Sequence, residues 1–125
     1  MYKIIIYKNV TKKGADDMYF PVSSTLIEFL ILAILEKEDS YGYEISQTIK
    51  LAATIKESTL YPILKKLGQA GYVSHYSQEH QGRKRKYYAL TEDGRNHLND
   101  LKTQWKSYKD TLDGIVEGSL RHDKD

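Results

Sequence analysis

Cysteine is absent from the 125 residues, which removes disulfides, thiolate metal sites and cysteine nucleophiles together and fits a reducing cytoplasm without requiring one. Long apolar runs are lacking too. The longest, residues 29–35, falls far short of the roughly 20 residues that cross a bilayer, so a cytoplasmic protein without a membrane segment is expected. The four histidines, His75, His80, His97 and His122, show no metal-ligand spacing, and neither a metal nor a cofactor is expected. There is no glycine-rich phosphate loop, no Gly-x-Ser-x-Gly elbow and no carboxylate pair that can be placed in a cleft. Catalysis is therefore not expected. Excess charge of one sign is also small, +2 in all, so any case for a nucleic-acid partner rests on where the cations sit.

What is present describes one ordinary domain. Hydrophobic residues at 40% and charged residues at 29% are globular usage, and the length allows one modest core and no second one. Residues 1–17 read apart from the rest, with the β-prone Ile4, Ile5 and Ile6 followed by Lys12, Lys13 and Gly14. Two readings stand for them. One is a basic arm that touches a DNA groove. The other is a leader upstream of a native start at Met18, because Lys13, Gly14 and Ala15 can be encoded around a ribosome-binding sequence.

From there the periodicities call for four helices and a hairpin. Thr25 and Glu28 have capping-box spacing for a first helix over 25–37, whose Leu26, Phe29, Leu30 and neighbours leave almost no polar face. A helix of that kind needs cover from more than one side, which implies a partner chain. A second helix is expected after capping oxygens at Asp39 and Ser40, as far as about Ala52. The third is expected to start at Ser58 as N-cap, with Pro62 in its first turn and Gly71 beyond its end. Its Leu60, Ile63, Leu64 and Leu67 fall at i, i+3, i+4 and i+7, one buried stripe. Residues 72–77 and 86–90 read as the strands of a hairpin around a polar loop. The last helix opens at Thr91, and Leu98, Leu101, Trp105, Tyr108, Leu112 and Ile115 form an a/d seam along it. Such a seam asks for another helix.

The fold class expected is mainly α with a small β-hairpin: a winged helix-turn-helix over 18–91, a dimerisation helix over 92–118 and a polar tail over 119–125. In that order of elements the third helix enters the major groove of duplex DNA. With its stripe facing the core, Ser58, Tyr61, Lys65 and Gln69 turn outward, where Tyr61 and Gln69 can reach bases. Thr59, Lys66 and the preceding Lys56 add phosphate contacts. Taken alone, this is also how any solvated helix face looks. The hairpin adds weight, because Arg83, Lys84, Arg85 and Lys86 are expected at its tip, with the first three touching phosphates or the minor groove. Tyr41 is kept as a further phosphate contact. A two-fold dimer with its interface at Leu26, Phe29, Leu30, Leu98, Leu101, Trp105, Tyr108, Leu112 and Ile115 reads a pseudo-palindrome with half-sites about 34 to 36 Å apart. Two rivals stay open: a winged-helix protein-interaction module, and a ligand-binding protein with no direct DNA role.

Three motifs in order, Tyr41-Gly42-Tyr43-Glu44-Ile45, the run from Thr59-Leu60-Tyr61-Pro62 to Leu67, and Gly82-Arg83 through Lys86-Tyr87-Tyr88-Ala89-Leu90-Thr91-Glu92, make the chain resemble the PadR family of bacterial transcription regulators. It is similar to the short subfamily with one C-terminal helix. The resemblance implies a homodimer built through the first and last helices, DNA contact by the third helix and the wing, and repression. It also implies a small aromatic or hydrophobic effector. Trp105 is similar in place to a tryptophan that lines a ligand pocket in some relatives, which would make Leu101, Trp105 and Tyr108 effector-binding; plain packing is the other reading of Trp105. The Lys56-Glu57-Ser58 stretch departs from the family pattern, and Glu57 would repel phosphate if it faced DNA.

Overall fold

The computed structural model describes residues 22–123. The leader or arm expected over 1–17 lies outside them. The described elements are α1 (Ser24–Lys37), β1 (Ser40–Tyr41), α2 (Gly42–Ile49), α3 (Glu57–Gln69), β2 (Val73–His80), β3 (Arg83–Leu90) and α4 (Glu92–Glu117). The strands form one antiparallel sheet in the order β1-β3-β2. This is a mainly α winged-helix head with an extended C-terminal helix.

The core is assembled from the stripes that the periodicity singles out. Leu60, Ile63, Leu64 and Leu67 of α3 are buried against Ile31, Leu32 and Leu35 of α1 and Ile45 and Ile49 of α2. Each large side chain removed from water stabilises the head by about 1.5–3 kcal/mol. α3 stops where Gly71 follows it: the Gly71 and Tyr72 N–H groups donate to the Gly68 and Leu67 carbonyls at 3.0 Å each, closing the end in a Schellman pattern.

The helix caps differ from the expectation, at α2 and α3 because packing sets where the chain enters. α1 is capped by Ser23, whose hydroxyl accepts from the Leu26 N–H at 3.2 Å, so Thr25 is not the cap. Asp39 and Ser40 do not cap α2. Ser40 lies in β1 paired with Tyr88, Tyr41 is the N-cap residue without a side-chain bond, and α2 ends at Ile49 rather than near Ala52. α3 begins one residue before Ser58, with Lys56 in the cap position and no side-chain cap bond. Ala53 and Ile55 are buried just upstream and pin the chain where it enters, so burial rather than a hydroxyl sets the start. Pro62 is then the sixth helical residue, past the first turn.

The hairpin is longer and tighter than expected. Cross-strand pairing continues to His80 and Arg83, leaving Gln81 and Gly82 as a two-residue turn with φ of 51° and 77°. Positive φ at both positions is the turn that suits the twist of paired strands. The tip is therefore Gln81-Gly82, and Arg83, Lys84 and Arg85 join Lys86 in β3 rather than forming a loop. α4 opens as expected, with the Thr91 hydroxyl accepting from the Gly94 N–H at 2.9 Å. Leu98 is fully buried in the head. It cannot serve the intermolecular seam, because the first turns of α4 are consumed by this chain's own core.

Candidate nucleic-acid interface

Once the stripe of α3 is buried, the opposite face is fixed by helix geometry. Ser58, Thr59, Tyr61, Pro62, Lys65 and Gln69 are exposed, and Lys56 is exposed at the cap. Tyr61 lies across the start of α2: a side-chain carbon added at Gly42 would come within 2.7 Å of the Tyr61 hydroxyl. Glu57 occupies the first turn of α3, where the helix dipole favours an acid. Lys66 points differently. Its ammonium sits 3.0 Å from Glu28 of α1, on the flank of α3 nearest α1.

A strand alternates faces, and this divides the basic run of β3 in two. Lys86 shares the face of the buried Tyr88 and lines, with Tyr61, Lys65, Gln69 and His75, a groove of about 770 Å³ between α3 and the hairpin. Lys84, two residues earlier, lies on the same face. Arg83 and Arg85 lie on the other, where the Arg85 guanidinium rests 4.5 Å from the centre of the Tyr41 ring. Tyr41 is further engaged by an edge contact with Tyr87 at 5.3 Å and by its hydroxyl, which donates to Glu44 at 3.2 Å. Tyr41 and Arg85 thus hold each other and fasten β1 to the sheet. Among the described residues no ion pair is made by Lys56, Lys65, Arg83, Lys84 or Lys86.

The groove is polar at the rim and aromatic at the floor. Burial pushes the Tyr88 phenol up, with the Tyr61 phenol adding to the shift, so Tyr88 stays a neutral donor. Sequence places Lys86 in the basic run but gives neither it nor His75 a place in this groove. The signal that finds them is the strand parity: they pair across or along β2 and β3 with Tyr88 on the core side, which requires the β3 register to be known.

A second surface lies at the other end of the molecule. Leu26, Phe29, Leu101, Trp105 and Tyr108 border a cleft of about 530 Å³ between α1 and α4, with Ser23, Thr25 and Gln104 at its edge. The Phe29 and Trp105 rings stand 6.0 Å apart and tilted by 48°. Leu30 packs against the edge of the core. Further along, the seam is open: Trp105, Tyr108, Leu112 and Ile115 are 38%, 59%, 42% and 57% exposed. Glu36 anchors the base of α4 to α1 through Lys102 at 2.7 Å and Arg95 at 3.7 Å, and the Lys102 hydrogen bond holds its carboxyl below the usual carboxylate range.

Among the described residues no cluster of histidine and acidic side chains is arranged to hold a metal ion, and no helix is long and apolar enough to cross a membrane.

The model of the family described as "Transcriptional regulator PadR-like family" matches residues 31–100. A protein of Streptococcus mutans UA159 of known crystal structure is 70% identical, with a TM-score of 0.82 over 85% of this chain and 100% of that one. A PadR family transcription regulator of Clostridium difficile R20291 is 34% identical, with a TM-score of 0.68 over 72% of this chain and 97% of its own. The negative transcriptional regulator PadR of Bacillus subtilis (strain 168) is 33% identical over 81 residues, 60% of this chain and 44% of that protein. Its crystal structure in complex with operator DNA matches with a TM-score of 0.56 over 61% of this chain and 46% of that one, at 30% identity.

Proposed function

Because the chain belongs to the PadR-like family of transcriptional regulators, and so is a regulator rather than an enzyme, we propose that it acts as a repressor, binding a pseudo-palindromic operator as a two-fold homodimer. α3 lies in the major groove, with Tyr61 and Gln69 toward the bases and Lys65 toward the phosphate backbone, and Lys56, Ser58 and Thr59 meet phosphates at its N-terminal end. The observation that carries this reading is the pair of cations that line one groove without an ion-pair partner among the described residues, Lys65 on α3 and Lys86 on β3, with Lys84 on the same face of the strand. They flank a channel that a phosphate backbone fits and an acidic protein strand has no special reason to prefer. Arg83, next to the turn, reaches flanking phosphates or the minor groove. Lys66 and Arg85 contribute through the fold instead. The Bacillus subtilis relative, solved in complex with operator DNA, supports duplex DNA as the partner.

The dimer forms through the open seam of α4 from Leu101 to Ile115 and the adjacent face of α1 at Leu26, Phe29 and Leu30. The cleft beside Trp105 then takes a flat hydrophobic or aromatic effector, stacked between ring systems, and its occupation shifts the spacing of the two heads. Quenching of Trp105 fluorescence by planar hydrophobic compounds is the readout for that cleft.

The test of the DNA reading is the salt dependence of affinity for a mixed-sequence duplex. A protein–phosphate contact contributes a slope of about −0.9 in log K against log salt, so Lys65→Ala and Lys86→Ala each lower the slope by about 1.8 per dimer. Arg85→Ala leaves it unchanged. A shallow wild-type slope favours a protein-docking module, and absence of any duplex binding favours a ligand-binding protein without a DNA role.

A further inference from the structure

The join between α3 and α4 is more closely built than a connection around a hairpin needs to be. The Thr91 hydroxyl donates to the Gly71 carbonyl at 2.6 Å while accepting from the Gly94 N–H. The Thr91 N–H donates to the Tyr72 carbonyl at 3.1 Å. Gly94 is buried against that same residue: a side-chain carbon there would collide with the Tyr72 carbonyl oxygen and come within 2.8 Å of Leu90. One turn further along α4, the His97 ring lies flat on the Tyr72 ring, with centroids 4.2 Å apart and planes within 8°.

We infer that this joint, with His97 and Tyr72 as positioning residues and Gly94 as the point of close approach, sets the angle between the DNA-reading helix and the dimer helix. It thereby selects the spacing of the two half-sites. The inference rests on the DNA-binding reading above. Geometry gives it leverage, because the exposed part of the seam, from Trp105 to Ile115, begins about two turns beyond His97. From Gly94 to Leu112 α4 advances about 27 Å at 1.5 Å per residue, so a tilt of about 5° moves the seam by roughly 2 Å. Two protomers double that displacement, which exceeds the 3.4 Å rise of roughly one base pair. The aromatic stack is half-exposed and adds little core, so its removal loosens the angle without emptying the head.

The experiment enriches bound sequences from a pool of random duplexes with the purified full-length chain. Wild type is expected to enrich two half-sites at one spacing. His97→Ala is expected to enrich the same half-site sequence with the spacing broadened or shifted by a base pair or more, to bind the wild-type spacing about tenfold more weakly, and to bind an isolated half-site as wild type does. His97→Phe, which keeps a ring on Tyr72, restores the single spacing. A purely structural role would lower all affinities together and leave the spacing alone. If folded, dimeric His97→Ala enriches the wild-type spacing, the inference is overturned. If wild type enriches no duplex, the DNA-binding reading fails and this one with it.

Discussion

Four apolar side chains at three-and-four spacing meet opposite fates in α3 and α4. In α3, Leu60, Ile63, Leu64 and Leu67 are sealed in the core of their own chain. In α4, Trp105, Tyr108, Leu112 and Ile115 continue the same kind of stripe and remain open, and Val116 beside them is 85% exposed. Periodicity announces that a stripe will be covered; it does not say by which chain. A soluble chain seldom leaves so long an apolar strip bare, so the second stripe is the argument for a second copy.

The comparison can be broken from either side. Leu64→Ala should cost the head about 2–5 kcal/mol, since it opens a cavity in a site with no solvent contact, and chemical denaturation should find the loss at every protein concentration. Leu112→Asp should leave the head folded by circular dichroism. Two carboxylates buried in a two-fold seam should raise the dimer dissociation constant by on the order of a hundredfold or more, measured by sedimentation. Equal effects of the two variants on the isolated fold would erase the distinction. The smallest effect concerns the anchor where the two regions meet. Because Lys102 holds the Glu36 pKa below its unfolded value, the stability Glu36 contributes is present above the usual carboxylate range and is lost as pH falls through the lowered folded value. Glu36→Gln should therefore be slightly less stable than wild type at about pH 7, with the gap narrowing at about pH 3. A gap that widens in acid would mean that Glu36 is not held by Lys102.

The elements that sequence makes legible are those in which a repeating pattern does the work. The α3 stripe, the Gly71 stop and the Thr91 cap are local and periodic, and each is where its pattern puts it. β1 was not expected. Two residues carry no period, and Ser40 and Tyr41 become a strand only because β3 offers them partners. The expected caps of α2 and α3 failed for a related reason: Ser40 and Ser58 are good capping residues, but Ala53, Ile55 and the sheet decide where the chain bends, whereas at α1 the neighbouring Ser23 hydroxyl takes the cap from Thr25. The expected interface shows the same boundary between local and long-range information. Lys65 and Gln69 are placed by helix geometry, whereas the division of Arg83, Lys84, Arg85 and Lys86 between two faces depends on a turn only two residues long. That shift moves Arg85 onto Tyr41 and Lys86 into the groove. Leu98 belongs to the seam by spacing, but the head core, distant in sequence, claims it.

The most direct measurement of the central claim, duplex binding by a two-fold dimer, is the salt titration of duplex affinity carried out on wild type and Leu112→Asp side by side. A steep linear fall in log affinity with log salt is expected for wild type, and about half that slope for the monomeric variant, because each protomer brings its own set of phosphate contacts. A shallow wild-type slope, or the same slope from a variant shown to be monomeric, would contradict that claim.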